Sequence, residues 1–286
     1  AVGAGKIVES IVPVTDYSGT GISSAQVTVN YKSSLQNDLL GLTRDKGLKL
    51  KLYVIYNDGN IDRAIELNIS LQDCACCGAN TKAATSNDIV WRAFMCHNLG
   101  ANEAADPFTP AAAIHGAKYK WGVKTVALTQ ADDQAKPGAI TSPTAWVDIA
   151  MPLPTTSDNW NMVTQNPCPP GWRVPTIEEW QSVIDNNTIY RATDGGGWST
   201  STPSWSSGAN VFGNGIKFGD ALVLPTAGYR DYSNGLLVNR GDNGYYWSST
   251  AYGSTACRLR FGSGDQYTNN YPYDRTCGFS VRCISE

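Results

Sequence analysis

Histidine and methionine are scarce in this 286-residue chain, which holds two of the first and three of the second. His97 and His115 do not have the spacing of metal ligands on a helix. Neither lies beside a serine or cysteine motif resembling a nucleophile elbow, so both read as structural residues. A basic block is also missing. Lys and Arg number 22 against 25 Asp and Glu, for a net charge of −3, which argues against nucleic acid or an anionic membrane as the main partner. No apolar run approaches the ~20 residues of a spanning helix, so no membrane span is expected in this chain. Methionine and a signal-peptide pattern are absent at Ala1. The sequence therefore reads as processed, its targeting segment removed, and a lipid anchor on that removed segment fits the pattern. Tryptophan is absent from the first 90 residues, although the chain holds nine. The two parts differ in kind, and the length suits two domains, 1–85 and 86–286.

What is present points outward from the cell. Eight cysteines accompany many Ser, Thr, Asn, Tyr and Gly residues, the composition of an exported, oxidised protein. Extracellular or outer-membrane-surface localisation follows as an expectation.

Residues 1–85 read as all-β. Leu48, Leu50, Leu52, Val54 and Tyr56 alternate with Lys49 and Lys51, while Ile65, Leu67, Ile69 and Leu71 alternate with Glu66, Asn68 and Ser70. Asn57-Asp58-Gly59-Asn60 lies between the two runs as a hairpin turn. Val27, Val29 and Tyr31 mark a further strand, and Lys6 to Val14 an edge strand ending at Pro13. Period-two alternation gives each strand one wet face. A small immunoglobulin-like β-sandwich fits this length, as a spacer without chemistry of its own.

Cys74, Cys76 and Cys77 end that segment, and Cys96 follows, beside His97. These are zinc-type ligands, but Cys-x-Cys-Cys is not the knuckle of a zinc ribbon. Disulfides suit an exported chain better, and no metal or other cofactor is expected. A bridge from this cluster to Cys96 would lock the two domains together, and sequence does not say which cysteine is used.

The stretch Pro167-Cys168-Pro169-Pro170-Gly171-Trp172-Arg173-Val174-Pro175-Thr176 is a rigid turn feeding a helix. Thr176 and Glu179 make a capping box, and Ile177, Trp180 and Ile184 place one apolar stripe toward a core. Glu178-Glu179 is also a candidate catalytic carboxylate pair, but capping explains their positions without chemistry. Between residues 97 and 165 runs a long proline-bearing section with a short strand at Lys118–Gly122. Loops of that length are functional or pinned down. Further strands are expected at 222–230, 245–251 and 257–261, with a middle strand at 266–271. A last strand would carry Cys277, Phe279, Val281 and Cys283 on its core face, opposite Gly278, Ser280 and Arg282.

Five motifs, in one order over about 200 residues, then carry a resemblance. They are Trp91 with Cys96-His97-Asn98-Leu99-Gly100, the turn from Cys168 to Thr176, Leu224-Pro225-Thr226-Ala227-Gly228-Tyr229-Arg230, Tyr246-Trp247-Ser248-Ser249-Thr250, and Gly278-Phe279-Ser280-Val281-Arg282-Cys283. Together they resemble the Fibrobacter succinogenes major paralogous domain family over residues 86–286, a family common in secreted proteins of Bacteroidetes. The resemblance implies an α+β chain. Its C-terminal domain would have a C-type-lectin-like fold, related to formylglycine-generating enzymes, with a twisted antiparallel sheet, one or two helices and long loops. It also implies a bridge from Cys168 to Cys283 and proposes Cys257 with Cys277. A simple hairpin would instead place Cys257 beside Cys283, and both pairings stay open.

Family motifs mark scaffold, so Trp172, Trp180, Trp247, Tyr229 and Phe279 are assigned to the core. A ligand surface is expected on the outward face and loops of the final sheet. Tyr252, Arg258, Arg260, Tyr267, Asn269, Asn270, Tyr271, Tyr273 and Arg275 supply large contact area and adaptable hydrogen bonds there. The sugar motifs of calcium-dependent lectins, Glu-Pro-Asn, Gln-Pro-Asp and Trp-Asn-Asp, are absent. Three roles compete: a non-catalytic cell-surface adhesin binding an extracellular glycan or protein, a structural subunit or tip of a surface appendage such as a pilus, and a formylglycine-generating-type enzyme. The enzyme would need a reactive cysteine pair in an exposed cleft, whereas Cys277 and Cys283 are expected on the core side. The first role is the one the sequence favours.

Overall fold

The structure is a computed structural model describing residues 8–13, 27–31, 48–71, 77–141, 145–146, 158–193, 197–268 and 272–286. The chain divides into two units between Cys76 and Cys77. That boundary lies ahead of the expected residue 85, because Gly78–Lys82 is a strand of the second unit, paired with Ile89–Ala93. Both units are mostly β, with few helices.

In the first unit, β1 (Val8–Pro13) pairs antiparallel with β2 (Val27–Tyr31), and β3 (Leu48–Asn57) with β4 (Asp62–Leu71). The turn forms where its residue types demand. Asp58 accepts hydrogen bonds from the backbone N–H groups of Asn60 and Ile61 and pairs with Arg63, while Gly59 takes a φ of +96°, a conformation that costs glycine little. Leu52 lies opposite Leu67 and Val54 opposite Ile65, and Lys51 and Tyr53 both reach Glu66 across the ladder. The two faces thus separate by residue type, as the alternation requires.

The second unit contains β5 (Gly78–Lys82), β6 (Ile89–Ala93), α1 (Gln130–Ala135), β7 (Trp172–Arg173), α2 (Ile177–Asp185), β8 (Ile189–Ala192), β9 (Trp198–Ser199), β10 (Gly215–Phe218), β11 (Leu222–Pro225), β12 (Tyr229–Arg230), β13 (Leu237–Val238), β14 (Gly244–Tyr252), β15 (Thr255–Phe261), β16 (Gln266–Thr268) and β17 (Ile284–Ser285). One sheet has the order β11-β10-β8-β9 and another β14-β15-β16, with two-stranded pairs β5–β6, β7–β17 and β12–β13 beside them. β16 is therefore an edge strand, not the expected middle one.

Helix α2 forms where its capping box predicts. Thr176 Oγ1 accepts from the Glu179 N–H at 3.3 Å, and Glu179 Oε2 accepts from the Thr176 N–H at 2.8 Å. The apolar stripe of α2 packs with the inner residues of the four-stranded sheet, Ile216, Phe218, Leu222 and Leu224, and with Tyr246, Leu259 and Phe261 of β14 and β15. The opposite face of that β-ribbon, Tyr245, Trp247 and Ala256, packs in a second core with Trp121, Trp160, Val174, Phe279 and Val281. Both faces of the ribbon are therefore buried. Replacing Thr176 with alanine removes one half of the capping box. We expect a loss of about 1 kcal/mol, read as a lower urea midpoint at constant slope; an unchanged midpoint would show that tertiary packing alone fixes the helix start.

The C-terminal segment is not a regular strand. Residues 278–280 make single bridges to three different segments: Gly278 to Arg230, Phe279 to Tyr119, and Ser280, in parallel, to Tyr246. The segment threads through the interior instead of closing a hairpin. Its neighbours include long irregular chain and the irregular stretch of β14 between Trp247 and Ala251, whose carbonyls still need donors. Tryptophan supplies several of these. The indole N–H of Trp121 donates to Ser248 O, that of Trp146 to Thr276 O, that of Trp180 to Trp247 O and that of Trp247 to Tyr119 O. Each ring fills core volume and satisfies one backbone group, which is why the tryptophan-rich part of the sequence can carry so much non-repetitive chain.

Candidate functional site

The carboxylate pair separates into two roles. Glu179 is buried, chelated by Arg173 at 2.8 and 2.6 Å, and paired with Arg92. Burial alone would raise its titration. Hydrogen bonding and charge from Arg173, the Thr176 N–H and the Arg92 charge outweigh it and hold the carboxyl below its ordinary value. Glu179 is thus committed to joining β6, β7 and α2. Arg92 stands 87 positions away, so no local pattern could have named it. Glu178, one residue earlier, is exposed.

The described residues among those expected to form the ligand surface do not form one patch. Tyr252 is exposed at the closed end of the β14–β15 hairpin, opposite Thr255. Arg260 lies five residues along β15, about 17 Å away at strand rise, and pairs with Asp265 at 2.5 Å. Tyr267 is half-buried beside it, 5.1 Å from the guanidinium. Arg258 and Arg275 were expected outward and are buried instead. The Arg258 guanidinium sits 4.1 Å from the Tyr273 ring, with Tyr245 and Tyr267 at 5.8 Å. Arg275 covers Trp121 at 4.3 Å and donates to the carbonyls of Thr255 and Gly253. The physical reason is the second core: the segment that bridges Ala256 through Tyr273 covers the Arg258 side of β15 and carries Arg275 onto Trp121, so both charges are spent on aromatic faces and carbonyls. Asn269, Asn270 and Tyr271 lie outside the described residues.

Cys168 is bridged to Cys283 and Cys77 to Cys96. The second bridge lies wholly within the second unit, so it does not join the two domains as expected. The Cys257–Cys277 pairing does not form, and both cysteines remain buried thiols. Parity explains this. Cys257 shares the α2-side face of β15 with Leu259 and Phe261, whereas Cys277 lies in the core on the other side. Burial pushes both thiols up, further from the reactive thiolate. His97 Nε2 donates to Ala105 O at 2.9 Å. His115 is wholly buried, and burial with the nearby charges of Lys118 and Arg240 lowers its titration to about 3. Neither histidine faces a cluster of metal-ligating residues among those described.

A concave surface of the second unit lies on the outer side of α2. A cleft of about 530 Å³ runs between α2, the β5–β6 hairpin and the end of β16. Ile89 and Ile177 give it apolar floor, and Glu178, Gln181, Ser182 and Asp185 line it from the helix. Lys82 and Asn87 face them from the hairpin. The walls are held in place from below. Thr81 Oγ1 donates to Glu179 O at 2.8 Å, and Asn187 clasps both the N–H and the carbonyl of Asn80. Across the floor the polar groups form a chain: the Thr268 hydroxyl donates to Gln181 Oε1, and Gln181 Nε2 donates to Asp185 Oδ1 at 2.8 Å. Asn186 Nδ2 is held on Ser182 in the same way. Glu178, Gln181, Ser182 and Asp185 recur at i, i+3, i+4 and i+7. That stripe is legible in the sequence, where it reads only as the wet face of an amphipathic helix. The hairpin opposite makes it a wall.

This mostly β unit, with one amphipathic helix among the described residues and two disulfides about a central C-terminal segment, defines the class of domain. The chain belongs to the Fibrobacter succinogenes major domain family, whose model matches residues 80–285. No curated protein and no solved structure matches the chain.

Proposed function

We propose that this chain is a non-catalytic ligand-binding protein of the extracellular or outer-membrane surface, an adhesin that recognises a glycan or a protein through its second unit. In this reading the first unit is an immunoglobulin-like spacer and the second a C-type-lectin-like head. The observation that carries the proposal is the cleft beside α2, whose polar walls are held by hydrogen bonds to one another and stand on a helix and a hairpin, not on loops. A site prepared in this way binds at low ordering cost. Glu178 and Asp185 are both exposed on α2 and line the cleft. The disulfides and the abundance of Ser, Thr and Asn fit an exported setting. The intact chain is expected to bind saturably to one member of a panel of immobilised glycans and extracellular proteins, leaving the bound molecule chemically unchanged. Turnover of the bound molecule, or no binding across both panels, would remove this function.

A further inference from the structure

We infer that the cleft beside α2 is a carbohydrate site and that it selects neutral, hydroxyl-rich sugars over sulfated or sialylated ones. The inference rests on the recognition role proposed above and deepens it by fixing the place and the ligand class.

The lining chemistry carries it. Gln181 and Asn87 each offer both donors and acceptors, and the Asp185 carboxylate has acceptor capacity beyond the single bond it takes from Gln181. Vicinal hydroxyls, each a donor and an acceptor, match such a mixed surface, and a carboxylate accepts from two neighbouring hydroxyls at once. Ile89, exposed in the lining, provides apolar area for the C–H face of a pyranose ring. Size agrees: about 530 Å³ lies within the ~300–1,000 Å³ of small-ligand sites.

Charge supplies the selectivity. The lining holds two carboxylates, Glu178 and Asp185, against one ammonium, Lys82. An acidic sugar substituent would meet net repulsion, whereas a neutral one meets only acceptors and donors. The Thr268–Gln181–Asp185 chain sets the amide of Gln181 in one orientation before any ligand arrives. Gln181 is therefore the residue whose loss should be felt most.

The test uses the intact chain on an array of neutral oligosaccharides with their sulfated and sialylated counterparts, followed by calorimetry on the strongest ligand. Binding is expected for neutral members. Gln181→Ala and Asp185→Asn should each weaken it by about tenfold or more at an unchanged unfolding midpoint, and Arg260→Ala should leave it intact. A preference for the acidic sugars would overturn the selectivity. Binding lost with Arg260→Ala but retained with Gln181→Ala would overturn the cleft while the recognition role stands. Binding to extracellular proteins and to no glycan would overturn the carbohydrate assignment alone. Binding to neither class would overturn both the assignment and the role.

Discussion

Replacing Asp133 with alanine is expected to destabilise the second unit by about 3–5 kcal/mol, the cost of stranding buried charges without their partner. Asp133, on α1, is wholly buried, and so are Arg230 and Arg240, which both pair with it. Arg230 Nε donates to Asp133 Oδ1 at 2.7 Å, its Nη1 to the carbonyls of Lys136 and Gly235, and its Nη2 to Asp133 O. Lys118 lies in the same region, its ammonium donating to the carbonyls of Ala227 and Gly228 and to the Ser280 hydroxyl. Burial brings the Lys118 titration down to about 7, with attraction to Asp133 opposing the fall and repulsion from Arg240 and Arg230 adding to it. One carboxylate thus faces three cations. Burial works against its ionisation, yet the charges of Lys118, Arg230 and Arg240 prevail and hold Asp133 below its ordinary value.

The sign of the pH dependence follows. A carboxylate with a depressed folded-state value contributes stability above its unfolded value and loses it as pH falls through the folded one. The gap between the parent chain and Asp133→Ala should therefore be full at neutral pH and close in acid. Urea unfolding at neutral and acid pH measures it. A neutral-pH loss below about 1 kcal/mol would show the arginines satisfied by carbonyls alone. Asp133→Asn, which keeps the shape and removes the charge, separates the two contributions.

How much of this was legible in the sequence depends on the range of each interaction. The β3–β4 hairpin was legible because its alternation and its turn are both local. So was the start of α2, since a capping box spans only Thr176 to Glu179. The positions of Arg258 and Arg275 were not. Period two correctly places Arg258 opposite Cys257 and Leu259, but it does not say that loops from residues 121 and 273 will cover that face. The same gap undid the Cys257–Cys277 pairing, because parity along β15 is readable whereas the side on which the threaded C-terminal segment passes is not. Glu179 reads as a cap, and its arginines are not legible beside it because one of them comes from β6. The polar stripe on α2 was visible and uninformative until the β5–β6 hairpin stood opposite it. That hairpin straddles the expected domain boundary, so placing Gly78–Lys82 in the first domain removed one wall of the cleft from view.

Removing the bridge between Cys168 and Cys283 should cost more still, at about 5 kcal/mol by loop-closure entropy, because the bridge joins residues 115 apart. The bridge between Cys77 and Cys96 spans 19 residues, and the same reasoning gives about 3 kcal/mol. The longer bridge also has more to hold. It ties the turn before α2 to the C-terminal segment, where β7 pairs with β17 and the Glu286 N–H reaches Gly171 O at 3.0 Å. It sits in the core that holds Trp247, Phe279 and Val281. The double variant Cys168→Ser/Cys283→Ser is therefore expected to lower the urea midpoint more than Cys77→Ser/Cys96→Ser does. Equal losses, or the reverse order, would mean that native-state packing and not chain closure sets the effect. Alkylation provides an independent check on the pairing. Cys257 and Cys277 should resist a thiol reagent in the native chain and react in denaturant without reductant, since both are buried and unbridged. In the same digest Cys168 should be recovered joined to Cys283. Recovery of Cys257 joined to Cys277 would instead require the C-terminal segment to pass on the other side of β15, bringing down the two-core arrangement on which the cleft beside α2 is built.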